Sequence, residues 1–195
     1  MPTGDEIQRY LFGAWRLMLG RADGLRLMDL SADGFWNSFF AIVVSVPALV
    51  VGWVGLALDI DPDPAHASGR IGIVLRLAAV DFAAWVVPLA ALALVARPAG
   101  IADRFVHYVV ATNWASALLI WLMLPLSILR LFVAGEALDL IALLLFVLNL
   151  ALSWRVTTLA IGKGASIGTA LFVAMFVASL LVLFGLQELF GLSVA

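Results

Sequence analysis

Five apolar runs of membrane-spanning length dominate this chain and leave few folds open to it. They cover approximately residues 35–58, 71–96, 105–129, 137–154 and 165–186. A helix rises about 1.5 Å per residue, so roughly 20 residues cross a hydrocarbon layer about 30 Å thick. Of the 195 residues 65% are hydrophobic and only 12% are charged, more apolar surface than a soluble domain of this size can hide. Lipid is therefore the expected solvent, and in lipid a helix satisfies its own backbone groups. The expected fold is all-α: a polytopic membrane protein whose residues 35–195 form a domain of five transmembrane helices.

Residues 1–34 form a separate, more polar preface. Thr3 followed by Glu6 has capping-box spacing, each side chain meeting a backbone N–H that the first helical turn leaves free. Behind it Ile7, Leu11, Ala14 and Met18 share one helical face with Trp15 beside them, and Asp5, Arg9, Gly13 and Arg16 share the other. This pattern predicts an amphipathic helix of about 16 residues, lying in the membrane interface or against the other spans. Two Ala-Asp-Gly units, Ala22–Gly24 and Ala32–Gly34, are expected to turn the chain twice before it enters the bilayer.

Charge sets the expected orientation. With a cytoplasmic N-terminus, one side of the membrane holds Arg9, Arg16, Arg21, Arg26, Arg97, Arg104, Arg155 and Lys163, eight basic residues. The other side holds Arg70 and Arg130, with Arg76 just inside a span. The excess predicts N-in, C-out. Asp5 and Glu6 stand where a signal peptide would be basic, so the first span is expected to be retained. Ten of the 11 basic residues are Arg, which with the Ala, Gly, Val and Leu bias suggests a GC-rich bacterial genome and hence an inner-membrane location.

Asp81 lies about ten residues inside the second run, near mid-membrane, where an ionised carboxylate costs at least about 2.5 kcal/mol unless it is paired or protonated. Arg76 is five residues away, about 140° around a helix, and is poorly placed to pair with it; it sits close enough to the end of the span to snorkel outward. Asn113 and Asn149 fall at similar depths on the third and fourth runs and have the chemistry to bond across helices. Each of Pro47, Pro88 and Pro125 frees a helical carbonyl that a neighbour must satisfy. The Asp81 carboxylate admits two readings, a transport site or a structural pin between helices.

Other patterns fail on chemistry. Asp59, Asp61 and Asp63 open like a calcium loop, but Pro64 and Arg70 stand where the loop needs Gly and Glu, so no metal site is expected. Gly164-Ala165-Ser166-Ile167-Gly168 matches a nucleophile elbow in letters only: no strand precedes it and no His follows Ser166. Gly164 and Gly168 also read as G-x-x-x-G, which admits a close helix neighbour. Gly162-Lys163-Gly164 is similar to a phosphate loop in the wrong order, though Lys163 and Arg155 together suit a lipid head group. The absence of cysteine removes disulfides and thiolate chemistry, no paired His suits haem, and scattered basic residues give no nucleic-acid stripe. Neither an enzyme nor a cofactor is expected.

Five short-looped spans, an amphipathic N-terminus and the stretches Asp29–Trp36 and Tyr108–Trp114 together resemble the Ypt-interacting (Yip) family of five-span membrane proteins and its bacterial relatives. The resemblance implies a non-enzymatic role in membrane organisation. The expected function is thus a scaffold or accessory subunit that meets other membrane proteins, or itself, in the bilayer. The alternative is a small oligomeric transporter or channel using Asp81.

Overall fold

In a computed structural model, residues 1–61, 63, 67–133 and 135–192 are described. The aspartate-rich loop therefore falls partly outside them, at Pro64, as does His66. The described residues are helical apart from short connections, and five helices are long and apolar enough to cross a membrane.

Helix α1, Gly4–Met18, begins at the capping box: Glu6 N donates to the Thr3 hydroxyl at 3.3 Å, and Thr3 N donates back to Glu6 Oε2 at 2.8 Å. Gly20, at φ 85°, turns the chain into a 3-10 segment, Ala22–Leu27. This segment folds back so tightly on α1 that a Cβ on Gly13 would stand 2.8 Å from the Gly24 carbonyl oxygen. Arg16 fastens the fold-back, its Nε donating to Asp23 Oδ1 at 2.9 Å. Of the two Ala-Asp-Gly units, only the first turns the chain. The second opens helix α2, Ala32–Ser38, because the Ser31 hydroxyl accepts from Gly34 N and caps it, with Asp33 in the favourable first turn.

The long helices follow: α3 Phe40–Ile60, α4 Ala67–Val95, α5 Phe105–Arg130, α6 Glu136–Ile161 and α7 Ala165–Leu189. Hydropathy placed the first span as one run, but the helix breaks at Phe39. There Ser38 Oγ donates to the Phe35 carbonyl at 2.7 Å, offering that carbonyl a partner outside the helical ladder. The fourth span also runs seven residues past its expected end at Trp154. Arg155 does not stop it, because its side chain reaches out to the Met18 carbonyl at 3.4 Å; the helix ends at Gly162, whose φ of 61° suits a C-terminal glycine.

The five long helices close a ring in the order α3, α5, α6, α7, α4, and α1 and α2 pack on α5. α5 is the most enclosed: 44% of its apolar stretch is buried, against 6% for α6 and 11% for α7. Tyr10, Ala14, Leu17 and Met18 of α1 are buried with Val110, Ala111 and Trp114 of α5 and Val156 and Ala160 of α6, and the rings of Tyr10 and Trp114 lie 5.3 Å apart. A second core, Leu89, Leu92, Ile101, Tyr108, Ile161 and Leu171, fills the loop end of α4 to α7. A third joins Leu77 and Val80 of α4 to Leu192. Near Pro47 the Trp121 indole donates to the Val44 carbonyl at 3.0 Å, so a neighbouring span bonds α3 close to its proline.

At the α6–α7 contact a Cβ on Gly168 would sit 2.7 Å from Thr158 Cα, so these backbones meet only because Gly168 has no side chain. Gly164 takes no part in that approach. A Cβ there meets nothing within 4 Å, and its φ of 93° instead suits the turn that starts α7.

Two predictions follow from this packing. Gly168→Ala should lower thermal stability in detergent by about 1–3 kcal/mol, the usual cost of overpacking, whereas Gly52→Ala, with open space around it, should be neutral or slightly stabilising. Hydrogen bonds from Thr3 to Glu6, from Arg16 to Asp23 and from Ser31 to Asp29 hold these carboxyls below their usual values of 4.5, 3.8 and 3.8. A lowered folded pKa means stability that is present above the usual value and lost as pH falls through the depressed one. Hydrogen exchange across residues 4–31, corrected for intrinsic rate, should therefore rise as pH drops below about 4, while α5 stays protected.

Candidate functional site

The polar groups at membrane depth are drawn together mainly around Asn113. This side chain is fully buried on α5; its Nδ2 donates to Ser38 Oγ at 2.9 Å and its Oδ1 accepts from Trp85 Nε1 at 2.9 Å. One amide thus ties α2, α4 and α5, and it sits where the first span breaks. Asn149 lies on α6 and does not reach Asn113; its Oδ1 accepts from Ser153 Oγ at 3.4 Å, one turn along the same helix.

Asp81 is elsewhere. Its Oδ2 accepts from Trp53 Nε1 at 2.6 Å, joining α4 to α3. Arg76 points away from it and donates to the Phe190 carbonyl at 3.1 Å, holding the end of α7. The two residues therefore serve different neighbours. Lys163 donates to the Gly100 carbonyl and to Asp103 Oδ1, both at 2.6 Å, and Arg155 meets the end of α1. These contacts bring α1, the α4–α5 connection and the α6–α7 connection to one end of the bundle. They also occupy the two cations expected to suit a head group.

Between α4, α5, α6 and α7 lies a cleft of about 440 Å³, within the range of small-molecule sites. Asn113, Asn149, Trp85, Ser116, Thr157 and Ser179 line it together with Phe146, Phe172 and Phe176, and no ionisable side chain except Tyr108 does. Asp81 is not in its wall. Among the described residues no three His, Cys, Asp or Glu side chains are grouped to hold a metal ion. Among the described residues three polar side-chain atoms are buried without a partner outside the cleft, Arg70 Nε, His107 Nδ1 and Thr158 Oγ1, and the last abuts Gly168.

Sequence reasoning found Asn113, Asn149 and Asp81 because amides and acids stand out in apolar runs. It missed their partners. Trp53, Trp85 and Ser38 do not stand out within their apolar runs. One signal was present: Trp53 precedes Asp81 and Trp85 precedes Asn113 by the same 28 residues, from one span to the next along the chain.

Removing one partner of a buried pair strands the other, whereas removing both is nearly neutral. Trp53→Phe should cost about 1–2 kcal/mol in unfolding free energy, and Trp53→Phe with Asp81→Leu should recover most of it. Asn113→Leu should cost at least as much as Trp53→Phe, since it strands the Trp85 N–H and also removes the donor to the Ser38 hydroxyl, which keeps only its bond to the Phe35 carbonyl. Unfolding in mixed micelles would check both. No family model, no curated protein and no solved structure matches this chain, so these residues are read from their geometry alone.

Proposed function

We propose that this chain is a non-enzymatic, multi-pass protein of the bacterial inner membrane, a scaffold or accessory subunit in membrane organisation or in a membrane complex. The observation that carries this reading is how little of α6 its own bundle covers. Leu140, Ile141, Leu143, Leu144, Phe146, Val147 and Leu148 are exposed in one continuous stretch, an apolar surface for lipid, a second copy or another membrane protein. The engagement of Asp81 with Trp53 supports its role as a pin between helices. The Yip-like stretches Asp29–Trp36 and Tyr108–Trp114 accord with a role in membrane organisation.

Eight basic residues fall on the end that carries α1, which supports a cytoplasmic N-terminus and a periplasmic C-terminus. In that frame α1 is an amphipathic interfacial helix. Its buried face holds the bundle, and Phe12, Trp15 and Leu19, each about half exposed, face the bilayer. The transporter alternative is weaker, because the carboxylate it needs lies outside the cleft.

The test joins two measurements. Extraction from native membranes in mild detergent should yield a stable complex with another membrane protein or a homo-oligomer; a clean monomer would count against the scaffold. In proteoliposomes neither wild type nor Asp81→Asn should pass protons or monovalent cations. A wild-type flux that a folded Asp81→Asn variant abolishes would replace this reading with transport.

A further inference from the structure

The cleft between α4, α5, α6 and α7 contains more hydrogen-bonding capacity than the fold uses. Thr157 is 97% buried, lines the cleft, and its hydroxyl makes no hydrogen bond among the described residues. Ser116 on α5 and Ser179 on α7, both partly buried, also line the cleft, and their hydroxyls make no hydrogen bond among the described residues. Asn149, which also lines the cleft, uses its Oδ1 on Ser153, and its Nδ2 donor makes no hydrogen bond among the described residues. In hydrocarbon each such group carries a free-energy penalty that a ligand atom can remove.

The amide N–H needs an acceptor, and a hydroxyl can donate as well as accept, so acceptor oxygens on a ligand suit all of these groups at once. No Asp, Glu, Lys, Arg or His lines the cleft, so an ion would enter without a counter-charge and be disfavoured. One wall is the stacked pair Phe172 and Phe176, with rings 6.1 Å apart and within 10° of parallel, a flat apolar surface for a hydrophobic body. The buried core of Leu89, Ile101, Tyr108 and Ile161 stands between the cleft and the loops that carry Arg97 and Lys163, which favours entry from the lipid.

We propose that this cleft binds a neutral, membrane-dissolved molecule that carries carbonyl oxygens on an apolar body, the chemistry shared by lipid quinones and ester-linked neutral lipids. Ser116, Asn149, Thr157 and Ser179 supply the donors. The proposal is independent of whether the chain is a scaffold, since it concerns an inward-facing site.

Native mass spectrometry of the full chain tests it, with decylubiquinone in one arm, dioleoylglycerol in a second and dioleoylphosphatidylglycerol as the anionic comparison. A saturable one-to-one adduct with one of the neutral probes is expected, and which one identifies the source. Asn149→Leu should weaken it about tenfold, and Ser179→Phe, which fills the cleft, should abolish it. Ser116→Ala removes only a hydroxyl and serves if either variant fails to fold; it should weaken binding several-fold. The proposal is overturned if neither neutral probe saturates, if the adduct survives the substitutions unchanged, or if the anionic lipid binds more tightly than both.

Discussion

A single carboxamide, Asn113, shows the constraint under which this bundle is built. Hydrocarbon supplies no hydrogen-bonding partner, so each polar group at membrane depth must find one in the protein. Asn113 finds two, Ser38 and Trp85, and in doing so ties α2 and α4 to α5 beside the break in the first span. Its neighbours on α5, Trp114 and Val110, then receive α1 through Tyr10 and Leu17. The N-terminal helix is thus seated on the element that the amide has already positioned.

Around this centre the ring is uneven. α5 is well enclosed, whereas α6 joins the rest mainly through its last two turns, where Val156, Ala160 and Ile161 are buried and Gly168 lets α7 come close. Over the preceding turns α6 is exposed on its outer side, and the cleft opens along its inner side. Close packing at one end and a cleft further along the same helices are two results of one geometry. Gly168 permits close contact with Thr158, while Phe146, Phe172 and Phe176 line the cleft beyond it.

The helical class and the five spans were legible because length and hydropathy are local quantities that lipid makes decisive. The capping box at Thr3 and Glu6 was legible for the same reason, since its partners are three residues apart. The break at Phe39 was not: neither Gly nor Pro marks it, and one partner of the adjacent Ser38 is 75 residues away. Gly164 misled because spacing alone does not distinguish a packing glycine from one that shapes a turn. The end of α6 was set too early because Arg155 looks like a boundary, whereas a long side chain can leave the helix and find the Met18 carbonyl. Asp81 and Asn113 were visible as polar groups in apolar runs, but their partners depend on which spans become neighbours.

The indole pairs also bear on the order in which the chain can be assembled. In both, the donor lies on the span made first and the acceptor on the span made next: Trp53 before Asp81, Trp85 before Asn113. A span that emerges with a lone carboxylate or amide meets lipid that offers it nothing. Here the N–H that will receive it belongs to the preceding segment, so each polar group has a partner already made when its own span enters, without waiting for the C-terminal helices. Exchanging the two members of a pair would keep the bond in the finished protein and reverse that sequence of events.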